Sequence, residues 1–89
     1  MPREREIEWP QDYFGPREAE TTDKGWLEVV IRLSSGLRYR ICFYDPIRLQ
    51  QTIEAELRGE GHFAEPGIVV LSEVTTDAIR REVDRIDED

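Results

Sequence analysis

The chain has 89 residues, with 20 Asp and Glu against 12 Lys and Arg, a formal net charge of −8 and an isoelectric point near 4.6. That length fits one core, and the acidic balance argues against a general nucleic-acid binder or a binder of anionic membranes, both of which need basic surface. A single Cys excludes an intrachain disulfide framework and a Cys-based zinc cage, and no apolar run approaches the 18 or more residues of a membrane span. No charged-then-apolar signal segment opens the sequence, so a cytoplasmic location is expected, with no membrane and no direct nucleic-acid partner.

The charge is unevenly placed. Residues 1–25 hold seven acids and four bases, residues 26–72 six and five, and residues 73–89 seven and three. Eleven of the twelve bases are Arg. Arg pairs bidentately with carboxylates, which suits an acid-rich chain, although coding bias gives the same composition.

Residues 1–25 are expected to form an acidic N-terminal arm. Pro2, Pro10 and Pro16 disfavour a long regular element, and Glu6-Ile7-Glu8-Trp9 alternates as a short edge strand would. Residues 21–25, Thr-Thr-Asp-Lys-Gly, read as a turn. A disordered arm fits the acidity, but Trp9, Tyr13 and Phe14 within six residues favour an arm that docks.

A hairpin follows. Leu27, Val29, Ile31 and Leu33 alternate with Glu28, Val30 and Arg32, and after Ser34-Ser35-Gly36 the alternation resumes as Leu37, Tyr39, Ile41 and Phe43. A two-residue turn would set Leu33 against Arg38. A three-residue loop with Gly36 in the left-handed region sets Leu33 against Leu37 and pairs Ile31 with Tyr39, Val29 with Ile41 and Leu27 with Phe43. Only the latter keeps one face apolar, because a one-residue slip inverts every side chain.

Asp45-Pro46 ends the strand and caps a helix whose stripe is Leu49, Ile53 and Leu57, with Gly59 expected at its C-terminus. Residues 60–67 form a loop. Ile68-Val69-Val70-Leu71 reads as a third strand covered on both faces. Thr75 fits the N-cap of a last helix, with Val74 and Ile79 as a hydrophobic staple and Ile79, Val83 and Ile86 as its stripe. The acids at 87–89 oppose the helix dipole and are expected to fray.

These elements predict an α+β fold: a small two-layer sandwich in β-β-α-β-α order, with a three-stranded, mainly antiparallel sheet, two helices on one face and the N-terminal arm. The core domain spans residues 26–86 and the acidic C-terminus residues 87–89. In the favoured arrangement the third strand lies antiparallel beside the first. In the alternative it lies parallel beside the second, through a right-handed crossover.

The hairpin's other face carries the candidate site: Trp26, Val30, Arg32, Arg38, Arg40, Cys42 and Tyr44, together with Glu28. Arg32 opposite Arg38 is unfavourable unless anions lie near, and Glu28 cannot serve all three arginines. Acids from the arm, from a second copy or from a bound anion are therefore expected, against the alternative of a simply solvated face. The aromatic and Arg content favours an interface, and open sheet edges favour a homodimer.

Catalytic patterns are weak. A Cys42–His62 nucleophile pair would need the 60–67 loop to fold over this face, and a lone strand Cys is usually a small hydrophobe. Glu54 and Glu56 point in different directions. Asp84, Asp87 and Glu88 could hold a hard cation loosely, but read better as a solvated helix end. No phosphate-loop, dinucleotide, zinc-protease or EF-hand pattern occurs. No cofactor, metal site or catalytic residue is assigned. The expectation is a non-enzymatic protein–protein interaction or regulatory module acting as a homodimer, with an anion- or small-molecule-binding face as the alternative and an enzyme using His62 last.

Overall fold

The hairpin sets the frame. In the computed structural model, which describes residues 5–85, β2 (Trp26–Leu33) and β3 (Arg38–Tyr44) pair antiparallel in the register that keeps one face apolar, with Ile31 opposite Tyr39, Val29 opposite Ile41 and Leu27 opposite Phe43. The loop closes with Leu33 N–H donating to Leu37 O at 2.8 Å, and Gly36 takes φ +93°. That φ belongs to the left-handed region that only Gly enters cheaply.

The elements flanking this hairpin are β1 (Arg5–Glu8), α1 (Pro16–Lys24), α2 (Pro46–Gly59), β4 (Ile68–Val70) and α3 (Thr76–Arg85). The fold is α+β, as expected. The sheet, however, has four strands in the order β1-β2-β3-β4, and the described residues contain three helices. The first 25 residues supply the difference. β1 pairs antiparallel with β2, setting Ile7 against Ile31 on the apolar face. That occupies the edge of β2 where the favoured topology placed the third strand. β4 therefore lies beside β3, and it is parallel. The alternative strand order is the observed one, and α2 is the crossover that a parallel pair requires.

α1 replaces the turn expected at residues 21–25. Its sequence lacks an apolar stripe; Thr21 is its one buried residue. The helix is instead fixed at its ends and by its neighbours. Pro16 opens it, Lys24 sits in its last turn, and Gly25 closes it at φ +74° with its N–H on Thr21 O. Nine residues do not hold a helix alone in water, so tertiary bonds matter here. Thr22 Oγ1 donates to Val74 O at 3.0 Å, and Thr76 Oγ1 donates to Glu18 at 2.7 Å. Tyr13, buried just before α1, hydrogen-bonds Thr76 Oγ1 at 2.9 Å.

The core joins Leu27, Val29, Ile31, Leu33, Ile41 and Phe43 of the sheet to Tyr13, Leu71, Val74, Ile79 and Val83. Burying such side chains contributes about 1.5–3 kcal/mol each. Thr75 caps α3 through Ala78 N at 3.2 Å, and Val74 and Ile79 are both fully buried, as the staple requires. Ile86, the fraying acids 87–89 and most of the loose cation cluster lie outside the described residues.

α2 departs from expectation. Asp45 caps it, its carboxylate accepting from Arg48 N at 2.7 Å, but no side chain of α2 is buried and none joins the core. Among the described helices only α3 places side chains, Ile79 and Val83, in the core with the Leu27/Ile41 face, so two helices do not share that core as predicted. The core positions there are filled instead by Tyr13, Leu71, Val74, Ile79 and Val83, and α2 keeps its stripe residue Leu57 50% exposed. It also runs through Gly59, with Glu60 as its C-cap and Gly61, at φ +80°, taking the carbonyls of Glu56 and Leu57. β4 is an edge strand and is not covered on both faces, since Val70 is 49% exposed. No helix of the described residues is long and apolar enough to cross a membrane.

Candidate functional site

Pairing register fixes the outer sheet face row by row. Trp26, Tyr44 and Val70 form one row across β2, β3 and β4, and Glu28, Cys42 and Ile68 form the next. Val30 faces Arg40, and Arg32 faces Arg38. β1 adds Glu8 beside Val30 and Glu6 beside Arg32. Alternation therefore divides the face into an apolar end near Tyr44 and a charged end near the hairpin loop.

At the charged end every arginine meets a carboxylate of its own chain. Arg32 pairs with Glu6, and that hydrogen bond raises the Arg32 pKa. Arg38 donates from Nε at 3.1 Å and from Nη2 at 2.7 Å to Glu8. Arg40 lies 3.5 Å from Glu28. The acids come from β1 and from β2 itself, and they relieve the Arg32–Arg38 opposition. All three pairs are solvent-accessible, so water and salt screen them and they add little to stability. Beside them Val30, Arg38, Tyr39, Arg40, Glu8 and Pro66 line a shallow groove of 460 Å³.

At the apolar end Cys42 and Tyr44 are buried, 4% and 3% exposed. They therefore belong to the protein's own packing and are not open surface. Cys42 Sγ donates to Glu28 at 3.6 Å, and burial, reinforced by the nearby carboxylates of Glu65 and Glu28, pushes its thiol up to about 12. The Tyr44 hydroxyl donates to Glu65 at 3.1 Å, and burial is again the first cause of its raised pKa, with Glu65 second. Trp26, 38% exposed, and Val70 stand on either side of Tyr44.

The 60–67 loop does reach this face, but it delivers Glu65. His62 is exposed, with Nδ1 3.4 Å from Glu60 O, and makes no hydrogen bond to Cys42 among the described residues. Gly67 anchors the loop. Its carbonyl accepts from Cys42 N at 2.8 Å, and at φ +74° a Cβ there would sit 2.5 Å from Arg40 O. Glu65 escapes sequence reasoning because nothing local marks it; the only hint is that a buried Tyr44 hydroxyl needs a partner. Among the described residues no group of three or more His, Cys, Asp or Glu is placed to hold a metal ion.

Fold and face together define an α+β domain with a four-stranded mixed sheet and a two-part outer surface. No protein-family model, curated protein or solved structure matches the chain.

Proposed function

We propose that this protein is a non-enzymatic protein–protein interaction module that acts as a homodimer through the apolar end of its outer sheet face. The observation that carries this reading is the row Trp26–Tyr44–Val70: a buried tyrosine flanked by two partly exposed apolar side chains at an open sheet edge. α2 starts two residues after Tyr44 and carries Ile47, 71% exposed, from the same end of β3. Apolar and aromatic side chains at the centre with paired charges at the rim is the usual anatomy of an interface. A two-fold axis there would use the same patch on both copies and shield the short β4 edge.

Burial of Cys42 and its raised pKa argue against that thiol as a nucleophile, since nucleophilic cysteines are accessible and have a depressed one. A second reading, an anion bound at Arg38 and Arg40, draws support from the groove between them but requires the anion to displace Glu8. Sedimentation of the wild type and of Val70→Asp tests the dimer. Phosphate titration tests the anion reading: it predicts that phosphate weakens the Arg38–Glu8 contact in the wild type and does not bind Arg38→Ala/Arg40→Ala.

A further inference from the structure

A cavity of 280 Å³ opens between the Pro10–Tyr13 turn, α1 and the start of β2, and it borders the proposed dimer patch through Trp26. Its apolar wall is Pro10, Tyr13, Trp26 and Leu27. Its polar wall comes from one helix. Arg17, Glu20, Thr21 and Lys24 stand at i, i+3, i+4 and i+7, the spacing that brings four side chains to one helical face. The sequence of α1 gives no apolar reason for that face; the fold buries Thr21 at its middle and leaves Arg17, Glu20 and Lys24 exposed around the mouth of the cavity.

One polar group in this wall is conspicuous. Thr21 is 7% exposed and is the one buried residue of α1. Its neighbour Thr22 donates to both Glu18 O and Val74 O. The Thr21 hydroxyl has no hydrogen-bond partner among the described residues, although buried hydroxyls are nearly always satisfied. A cavity-lining hydroxyl with no partner among the described residues is a group that a ligand can engage. Arg17 and Lys24 flank it at the two ends of the helical face, and Glu20 stands between them. The remaining acid of the lining, Glu28, is already engaged by Arg40 and Cys42.

We infer that this cavity is a binding site for a small zwitterion with an apolar body, of the chemical class of a free aromatic or large aliphatic amino acid. Its side chain lies against Tyr13, Leu27 and Trp26. Its carboxylate meets Arg17 and Lys24, its ammonium meets Glu20, and Thr21 supplies the buried hydroxyl. Sites built this way are mostly apolar, with a few convergent polar groups that fix orientation. The volume lies just under the ~300 Å³ at which drug-sized ligands begin, which selects a single small molecule over a peptide.

The test is an amide chemical-shift titration of the full chain with L-phenylalanine as probe. Two arms carry one charge each: 3-phenylpropionate, without the ammonium, and phenethylamine, without the carboxylate. The expected result is saturable shifts confined to residues 10–13 and 17–28, with each analogue weaker by on the order of tenfold, the loss of one charge-assisted hydrogen-bonding group. Arg17→Gln/Lys24→Gln, both exposed positions, is expected to erase the preference for phenylalanine over phenethylamine and to leave the rest of the spectrum in place. Absence of saturable shifts, shifts centred elsewhere, or equal binding of the three compounds overturns the site. The comparison of the three compounds on the wild-type chain needs no variant to fold.

Discussion

The Glu8 carboxylate, on β1, reaches across β2 to the Arg38 guanidinium on β3, accepting from Nε and Nη2 at 3.1 and 2.7 Å. Glu8 is paired in register with Val30, and Val30 with Arg40, so the contact is a diagonal strap over the middle strand. It ties the N-terminal strand to the far half of the hairpin. The strap is accessible to water, with Arg38 60% and Glu8 35% exposed. Glu8→Gln is therefore expected to lower unfolding free energy by no more than about 1 kcal/mol, and less in high salt. Denaturant melts at two ionic strengths measure this. A salt-independent loss of several kcal/mol would show that the strap, and not the packing of Ile7 and Trp9, holds β1.

A second tether joins α1 to α3. Thr76 Oγ1 gives its proton to Glu18 and so accepts from the Tyr13 hydroxyl. Tyr13→Phe removes that donor while keeping the ring stacked on Trp9, 4.8 Å between centroids. The expected loss is about 1 kcal/mol, since one part-buried hydrogen bond disappears and Thr76 keeps its acceptor. Tyr13→Ala removes ring and hydroxyl together and is expected to cost about 3–5 kcal/mol. Equal effects in thermal melts would mean that the ring contributes nothing.

Two glycines separate strain from space. Gly25 takes φ +74°, and a Cβ there would stand 2.2 Å from an Asp45 carboxylate oxygen, the side chain that caps α2. Gly36 takes φ +93° with nothing within 4 Å of that Cβ. Gly36→Ala is expected to cost about 1–2 kcal/mol, the left-handed penalty alone. Gly25→Ala adds a displaced cap worth about 1 kcal/mol and is expected to be the more damaging. Denaturant midpoints of the two variants give the order, and the reverse order would contradict the Gly25–Asp45 packing.

Cys42 sets a pH dependence. Its folded-state pKa, about 12, lies above that of an unfolded thiol, so the folded protein keeps a proton that the unfolded chain gives up. The stabilisation is fully present below the unfolded pKa of about 8.5 and is lost as pH rises through the folded value. Stability is thus expected to fall from about pH 8.5 to about 12. The raised Tyr44 pKa acts in the same direction. Cys42→Ser should flatten part of that alkaline slope, and native Cys42 should resist thiol reagents near neutral pH. A slope unchanged by the substitution, or rapid labelling of the folded protein, contradicts the burial of the thiol.

The sequence reveals the parts of this fold that depend on local alternation and capping. Leu27 to Phe43 determines its register because only one loop length keeps the apolar set together, and Gly36 supplies the backbone for it. Asp45 and Thr75 cap helices as their types suggest. α1 is illegible because its buried residue is a threonine and its stability comes from Val74, Thr76 and Gly25. The strand order depends on β1 taking the edge of β2, a competition between distant segments. On the outer face, the arginines and the need for acids were readable. The hairpin register already lets Glu28 reach Arg40 diagonally; that Glu6 and Glu8 meet the rest of that need, and that Glu65 rather than His62 comes to Cys42 and Tyr44, depends on tertiary placement.

The central claim is that two copies meet at the Trp26–Tyr44–Val70 row. Sedimentation equilibrium of the wild type and of Val70→Asp tests it most directly, since Val70 is exposed and its substitution leaves the core intact. The account predicts a wild-type mass of twice 10.5 kDa and a folded Val70→Asp of one chain mass. A monomeric wild type, or a Val70→Asp dimer as tight as the wild type, would contradict it.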